Sequence, residues 1–442
     1  MNTHDNFDNF LRVSADHSRS VRRDLYTDPE IFELEMQSIW ERVWVYVGHE
    51  SQLPKHGDFL STKVGRQPVL VVRNKAGEVR AFINACRHRG ATLCRTAKGN
   101  ARMFVCPYHS WTFNADGELV GVKDQSVGGY PKNFDKKLLG LTSVPRLESY
   151  RGFIFACLNP DIESLTDYLG SAAAILDLLV DQSGQGLEIL KGHSSYTYDG
   201  NWKMQAENGV DGYHASTVHG NFLDTIRHRL ESAKTKEGAI KAMDIVANSS
   251  KIKGGGYDLG NGHSLIWGEW TNAQDRFNVG QRAEVTTRVG EIRATWIFER
   301  MRNLLIYPSV LIMDAPSTQV RMIRPLSVNK TEVQIFCIAP VGEPAEDRRN
   351  RIRYYEDFYN ASGMATPDDL SEFAASQNGF MGAHSPWSDI SRGTAHEVAG
   401  ADEHARALDL KPVKSGVWVD DEVVYEGQYR QWIKLMNAGA RG

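Results

Sequence analysis

Residues 84–113 read NACRHRGATLCRTAKGNARMFVCPYHSWTF and place Cys86-x-His88 and Cys106-x-x-His109 with seventeen residues between the pairs. Each pair offers one thiolate and one imidazole. Two Cys and two His satisfy a tetrahedral zinc ion. They equally satisfy a two-iron, two-sulfur cluster in which two thiolates bind one iron and two neutral imidazoles bind the other. Zinc motifs usually join like with like, as C-x-x-C and H-x-x-x-H. The mixed pair in both halves, with Pro107-Tyr108 turning the second, favours the iron cluster. Short β-rich runs surround the ligands (Val43–Val47, Pro68–Val72, Arg80–Asn84, Met103–Val105 and Trp111–Phe113), separated by Gly, Asn, Asp and Lys turns. The ligands therefore belong to loops of a small all-β domain, placed here at residues 42–157.

At every ligand position the segment resembles the Rieske [2Fe-2S] signature. Respiratory Rieske proteins carry a disulfide whose second cysteine lies between the Cys and His of the second pair, where this chain has Tyr108. The resemblance therefore implies the oxygenase and ferredoxin type, which has the lower potential. Cys94 is left as a small buried residue. Five cysteines in all, an odd number thinly spread, exclude a disulfide framework.

A cluster alone only transfers electrons, and most of the chain lies outside it. At 442 residues the chain is long enough for two or three cores. Asp28-Pro29-Glu30 opens a helical pattern through Trp40, read as an N-terminal segment, residues 1–41, that packs on the domain beyond residue 157. From 158 to 442 the reading is a second, larger domain: a helix over Ile162–Leu179, a helical region at Met204–His219, and strands at Arg293–Glu299, Leu304–Met313, Gln319–Pro325 and Glu332–Ala339. Ser327-Val-Asn-Lys330 joins the last two as a hairpin. Charged helices follow at Pro344–Asn360 and Glu422–Asn437, and Ser249–Gly256 reads as a mobile loop. The fold class is α+β. A formal charge of −4 in mixed-sign clusters leaves no basic face for nucleic acid or an anionic membrane. No signal peptide or 18-residue apolar run is recognisable, so a cytoplasmic protein is expected.

Residues 201–220, NWKMQAENGVDGYHASTVHG, bring Asp211, His214 and His219 within nine positions. Asp211 and His214, three apart, share a helix face. The two histidines, five apart, fall about 140° round a regular helix. The helix must therefore distort or end near His219, with Gly220 as a plausible stop. By themselves, two structural histidines are an equal alternative to two metal ligands.

Asn208, Asp211, Tyr213, His214 and His219 resemble, at each position, the mononuclear iron motif of Rieske aromatic-ring-hydroxylating dioxygenases. The likeness runs along most of the chain and is greatest to the large (α) subunits of the benzoate, toluate and anthranilate branch. It is carried by Phe32–Met36, Gly65–Pro68, Met204–Asn208, Val328–Val333, Ile338–Gly342 and Asn360–Leu370. It implies a helix-grip, START-like catalytic domain in which His214, His219 and Asp369 hold ferrous iron. On local pattern alone, Thr366 as N-cap with Pro367, Asp368 and Asp369 in the first turn reads simply as helix capping. The resemblance makes Asp211 a catalytic-path residue, joining His214 of its own chain to His109 of the next in a head-to-tail trimer. It further implies a small β subunit in an α3β3 hexamer, a reductase carrying FAD and an iron-sulfur cluster that delivers electrons from NADH, and O2 addition to a benzoic acid, giving a cis-diol or a catechol.

Burying the substrate carboxylate requires a counter-charge or several donors, for which Asn208 and Arg392 are weak candidates. A Rieske monooxygenase or demethylase, and a non-catalytic electron carrier, stay open as alternatives.

Overall fold

The computed structural model describes residues 6–232, 253–271, 273–314 and 317–440. The chain divides into two compact units, residues 39–165 and residues 1–38 with 166–442.

The smaller unit is built of antiparallel strands. Val79–Ile83, Gln67–Arg73, Asp58–Val64 and Lys98–Asn100 form a four-stranded sheet in that order. Leu119–Gly121, Thr112–Asn114 and Met103–Val105 form one three-stranded sheet, and Arg146–Tyr150, Phe153–Cys157 and Val45–His49 another. Phe59, Leu70, Phe82, Phe104, Trp111 and Phe113 fill a core that includes Cys86, Cys94 and Cys106.

The larger unit centres on a ten-stranded antiparallel sheet. The hairpin Thr318–Ser327 and Lys330–Pro340 lies toward one edge and turns through two residues, with Ser327 opposite Lys330. Beyond it come Val310–Asp314, Arg300–Ile306, His263–Glu269 and Gly254–Gly260. The helix Val423–Ala440 packs across the last two. This is the α+β architecture the sequence indicated.

The N-terminal helix Pro29–Glu35 starts where Asp28 accepts hydrogen bonds from the backbone N–H of Glu30 and Ile31. It delivers Glu35, fully buried, to a polar knot. Trp202 Nε1 and Trp432 Nε1 donate to the Glu35 carboxylate at 2.8 and 2.6 Å, and Lys203 Nζ pairs with it. One carboxylate thus ties three elements distant in sequence.

Several elements differ from their sequence reading. The strand expected at Arg293–Glu299 is the helix Glu291–Phe298. Ile292, Ala294 and Trp296 imitate strand alternation, but Ile292 is exposed while Ala294, Trp296, Ile297 and Phe298 are all buried, which a single strand face does not allow. The helix expected over Ile162–Leu179 is two helices, Leu165–Leu169 and Ala172–Val180, broken at Gly170, whose φ of +48° a side chain rarely adopts. Gly254–Gly256, read as part of a mobile loop, opens a paired strand, while 249–252 lie outside the described residues.

Candidate metal centres and active site

In the smaller unit the two ligand loops are the same turn used twice. Cys86 N donates to Ala91 O (2.8 Å) and Gly90 N to Cys86 O (2.9 Å); Cys106 N donates to Trp111 O (2.8 Å) and Ser110 N to Cys106 O (2.9 Å). The fourth residue after each cysteine is left-handed, Gly90 at φ +72° and Ser110 at φ +60°. The thiols point inward and are buried, whereas His88 is exposed and His109 half-buried. The imidazoles meet with Nδ1 atoms 3.1 Å apart, and the His88 ring stacks on Trp111 at 4.9 Å. Burial pushes the Cys86 thiol up; the His88 backbone N–H offsets part of this and the adjacent Cys106 thiol adds to it.

Sulfur therefore meets sulfur and nitrogen meets nitrogen. The four ligand atoms do not converge on one point as zinc requires. Among the described residues, the one set of three or more candidate ligands converging within 4.8 Å is His214, His219 and Asp369. Two separate like pairs suit a two-iron cluster with unlike ends. Cys94 stands apart: its backbone is clasped by the Asn84 amide at 2.8 Å on both sides, and burial pushes its thiol up to about 12.

The second centre lies wholly in the larger unit. The helical region expected at Met204–His219 is interrupted twice: Trp202–Asn208, Ala215–Val218 and Gly220–Ser232 are separate helices. His219, at φ −95° and ψ 21°, is the joint that turns its ring toward His214. Gly220, expected as a stop, instead starts the next helix. Asp369 arrives from the first turn of Thr366–Phe380. Thr366 is not its N-cap. Ala365 holds that place, and the Thr366 hydroxyl donates to Tyr359 O at 2.9 Å.

His214 Nε2, His219 Nε2 and Asp369 Oδ1 form a triangle with edges of 3.2, 3.5 and 3.5 Å. Metal bonds of about 2.1 Å meeting at right angles give edges of about 3 Å, so these atoms fit one face of a coordination polyhedron. Two histidines and a carboxylate are the donor set of ferrous oxygen-activating sites. Asn208 Nδ2 lies 3.3 Å from His214 Nε2 and donates to Asp369 Oδ1 at 3.2 Å.

Asp211 lies behind this triangle. Its Oδ2 stands 3.0 Å from His214 Nδ1, and its Oδ1 accepts the backbone N–H of Tyr213 and His214 at 2.7 and 3.4 Å. Burial draws the His214 imidazole down, but the Asp211 hydrogen bond and charge outweigh it and hold it above its ordinary value. His219 is held below its ordinary value by burial, despite Asp369, with the charges of His214 and Arg321 adding to the fall.

A cavity opens on the triangle, lined by Phe222, Ile266, Met301, Met313, Phe358 and Ala365 with Asn208, Asn303, Arg321 and Thr366. Strand register explains this lining. Ile266 pairs with Asn303 and Asn303 with Met313, Met301 lies two residues from Asn303, and Arg321 pairs with Leu311, two residues from Met313. All therefore share one face of the sheet. Arg392, named as a carboxylate partner, does not line the cavity: its Nε donates to Asp420 O at 3.0 Å and its guanidinium covers the Tyr213 ring at 3.8 Å. Sequence reasoning passed over Arg321 and Asn303. Their one signal was a polar residue inside a strand whose neighbours are apolar.

Residues 43–138 match the Rieske [2Fe-2S] domain, and residues 187–427 match the ring hydroxylating alpha subunit (catalytic domain). The chain belongs to the ring-hydroxylating oxygenase α subunits. This α subunit is 46% identical to the 2-halobenzoate 1,2-dioxygenase large subunit of Burkholderia cepacia, with 95% of this chain and 89% of that one covered. It is also 46% identical to the toluate 1,2-dioxygenase subunit alpha of Pseudomonas putida, covering 96% and 93%, and to the anthranilate 1,2-dioxygenase large subunit of Acinetobacter baylyi, covering 95% and 90%. Its structure resembles that of naphthalene 1,2-dioxygenase with indole in the active site, at a TM-score of 0.81 and 27% identity, covering 96% and 94%. The α subunit is an enzyme that uses a Rieske cluster and a mononuclear iron, and both ligand arrangements described above fit those groups. Among its described residues, no helix is long and apolar enough to cross a membrane.

Proposed function

We propose that this α subunit dihydroxylates a benzoic-acid-type aromatic carboxylate, a benzoate, toluate, anthranilate or 2-halobenzoate, giving a cis-diol or a catechol. The observation that carries this reading is an apolar cavity, ring-lined and closed on one side by the sheet, that opens onto two histidines and a carboxylate. Three relatives named for benzoic acids support the substrate class.

Cys86, His88, Cys106 and His109 hold the cluster, and His214, His219 and Asp369 hold the iron. When bound, the cluster supplies single electrons and the ferrous iron supplies O2 activation. The remaining work belongs to side chains. Asp211 fixes the His214 ring through Nδ1, so that Nε2 keeps its lone pair directed at the centre. Asn208 steadies Asp369 by donating to Oδ1. Phe222, Phe358, Met301 and Met313 exclude water from the ring-binding space. The exposed His88 and half-buried His109 form the edge through which electrons would leave the smaller unit, and Asp211 of a neighbouring chain would join that edge to its own His214 without itself changing oxidation state.

Residues 42–157 act as the electron-entry domain and 158–442, with 1–41, as the oxygenase. The working assembly is an α3β3 hexamer in the cytoplasm, fed by an NADH-dependent reductase carrying FAD and an iron-sulfur cluster.

The test is product analysis by mass spectrometry after reduction in ¹⁸O2 with a panel of benzoic acids. Two labelled oxygens in a ring diol support the reading. A single labelled atom makes the enzyme a monooxygenase or demethylase, and no oxidised benzoic acid removes the substrate class.

A further inference from the structure

Arg321 is 2% exposed and stands in the strand Thr318–Ser327, paired with Leu311 on one side and Ile335 on the other. Of the other buried arginines of this unit, Arg302 meets Asp314 and Arg351 meets Glu343 at 2.9 Å, while Arg276 lies over the Trp270 ring and donates to Phe298 O. Arg321 has none among the described residues. Its Nε makes no hydrogen bond. The Tyr359 ring lies 5.8 Å from its guanidinium, a contact that leaves the N–H groups unsatisfied. Of the acids on the cavity wall, Asp369 is committed to His214, His219 and Asn208, and Asp211 to His214.

An arginine stays charged wherever it is placed, and a buried charge is paired or costly. A guanidinium with free donors inside an apolar cavity is therefore a site waiting for an anion. Its planar fork matches the two oxygens of a carboxylate. Because the register sets Arg321 on the same sheet face as Ile266, Met301, Asn303 and Met313, an anion held there carries its attached ring across apolar side chains toward the histidine pair.

Resting on the proposed substrate class, we infer that Arg321 is the residue that receives the substrate carboxylate and so sets which end of an aromatic acid faces the metal centre. Asn208 then keeps its role with Asp369, and Arg392 contributes nothing to substrate charge.

Equilibrium dialysis of benzoate and of benzamide, its neutral counterpart, against the purified holoenzyme tests this. Arg321→Met weakens benzoate about 10- to 100-fold, the loss expected for charge-assisted hydrogen bonds, and leaves benzamide within about threefold. Arg321→Lys recovers part of the loss. Iron content stays at the wild-type level in both variants. Unchanged benzoate affinity in Arg321→Met overturns the assignment, as does an equal loss of benzoate and benzamide or a loss of iron, each of which makes the role structural. A wild-type enzyme that binds no benzoic acid overturns the substrate class itself, a result separate from any effect of Arg321.

Discussion

Asp369 carries the heaviest single-residue consequence, because it closes a triangle that two histidines alone leave open. Asp369→Ala should lower total iron from about three atoms per chain to about two, with the cluster absorbance intact. Metal analysis beside the visible spectrum checks this, and loss of the cluster as well would show that the centres are not independent. Asp211→Ala is a subtler change. It removes the group that fixes His214 at Nδ1, and a 10- to 100-fold loss of turnover or of iron affinity is expected. At this scale the sequence was most informative where ligands are close together. Cys86, His88, Cys106 and His109 fall in loops closed by their own backbone hydrogen bonds, so spacing and residue type were sufficient to indicate a cluster. Arg321 escaped notice because an arginine inside a strand says nothing about whether an acid faces it.

The elements around the site depend on a few buried polar groups. Glu35 accepts hydrogen bonds from Trp202 and Trp432 and pairs with Lys203, joining the N-terminal helix to Trp202–Asn208 and to the C-terminal helix. Glu35→Ala leaves the Lys203 charge buried and unpaired. It should cost about 3–5 kcal/mol, read as a lower midpoint in denaturant. Glu207, at the end of the same helix, accepts from Tyr26 at 2.8 Å and from Tyr429. Burial pushes its carboxyl up from 4.5 to about 7, the two tyrosine hydrogen bonds offsetting part of the rise. A raised acid keeps in the folded state a proton that the unfolded chain has already released. Its contribution to stability is thus complete below about 4.5 and is lost as pH climbs toward about 7. Glu207→Gln should flatten this slope, seen by comparing urea midpoints at about pH 5 and about pH 7.5 for both proteins. Helix and strand boundaries were legible where capping and turn chemistry are local, as at Asp28 and at the turn between Ser327 and Lys330. They misled at 293–299, where apolar spacing suits both periods and burial in the tertiary structure selected the helix.

At the scale of the whole molecule, the proposed transfer of electrons between neighbouring chains has a direct consequence. A subunit lacking His109, a proposed cluster ligand, and a subunit lacking Asp369, a proposed iron ligand, should each be inactive alone. Co-expressed, they should recover a measurable share of wild-type turnover, because mixed rings place an intact cluster beside an intact iron site. No recovery in verified mixed assemblies would confine the electron path to one chain. By itself the sequence determined the paired Cys and His of the cluster loops, the nearness of His214 to His219 and the α+β class, since each rests on residues near one another in the chain or on a hydrophobic period. Tertiary structure alone decided the rest. Asp369 meets Asn208 across 161 residues of sequence, and the cavity lining is assembled from register between strands. Whether a buried charge has a partner depends on which side chains share its face, and that is fixed only when the sheet closes over the helices.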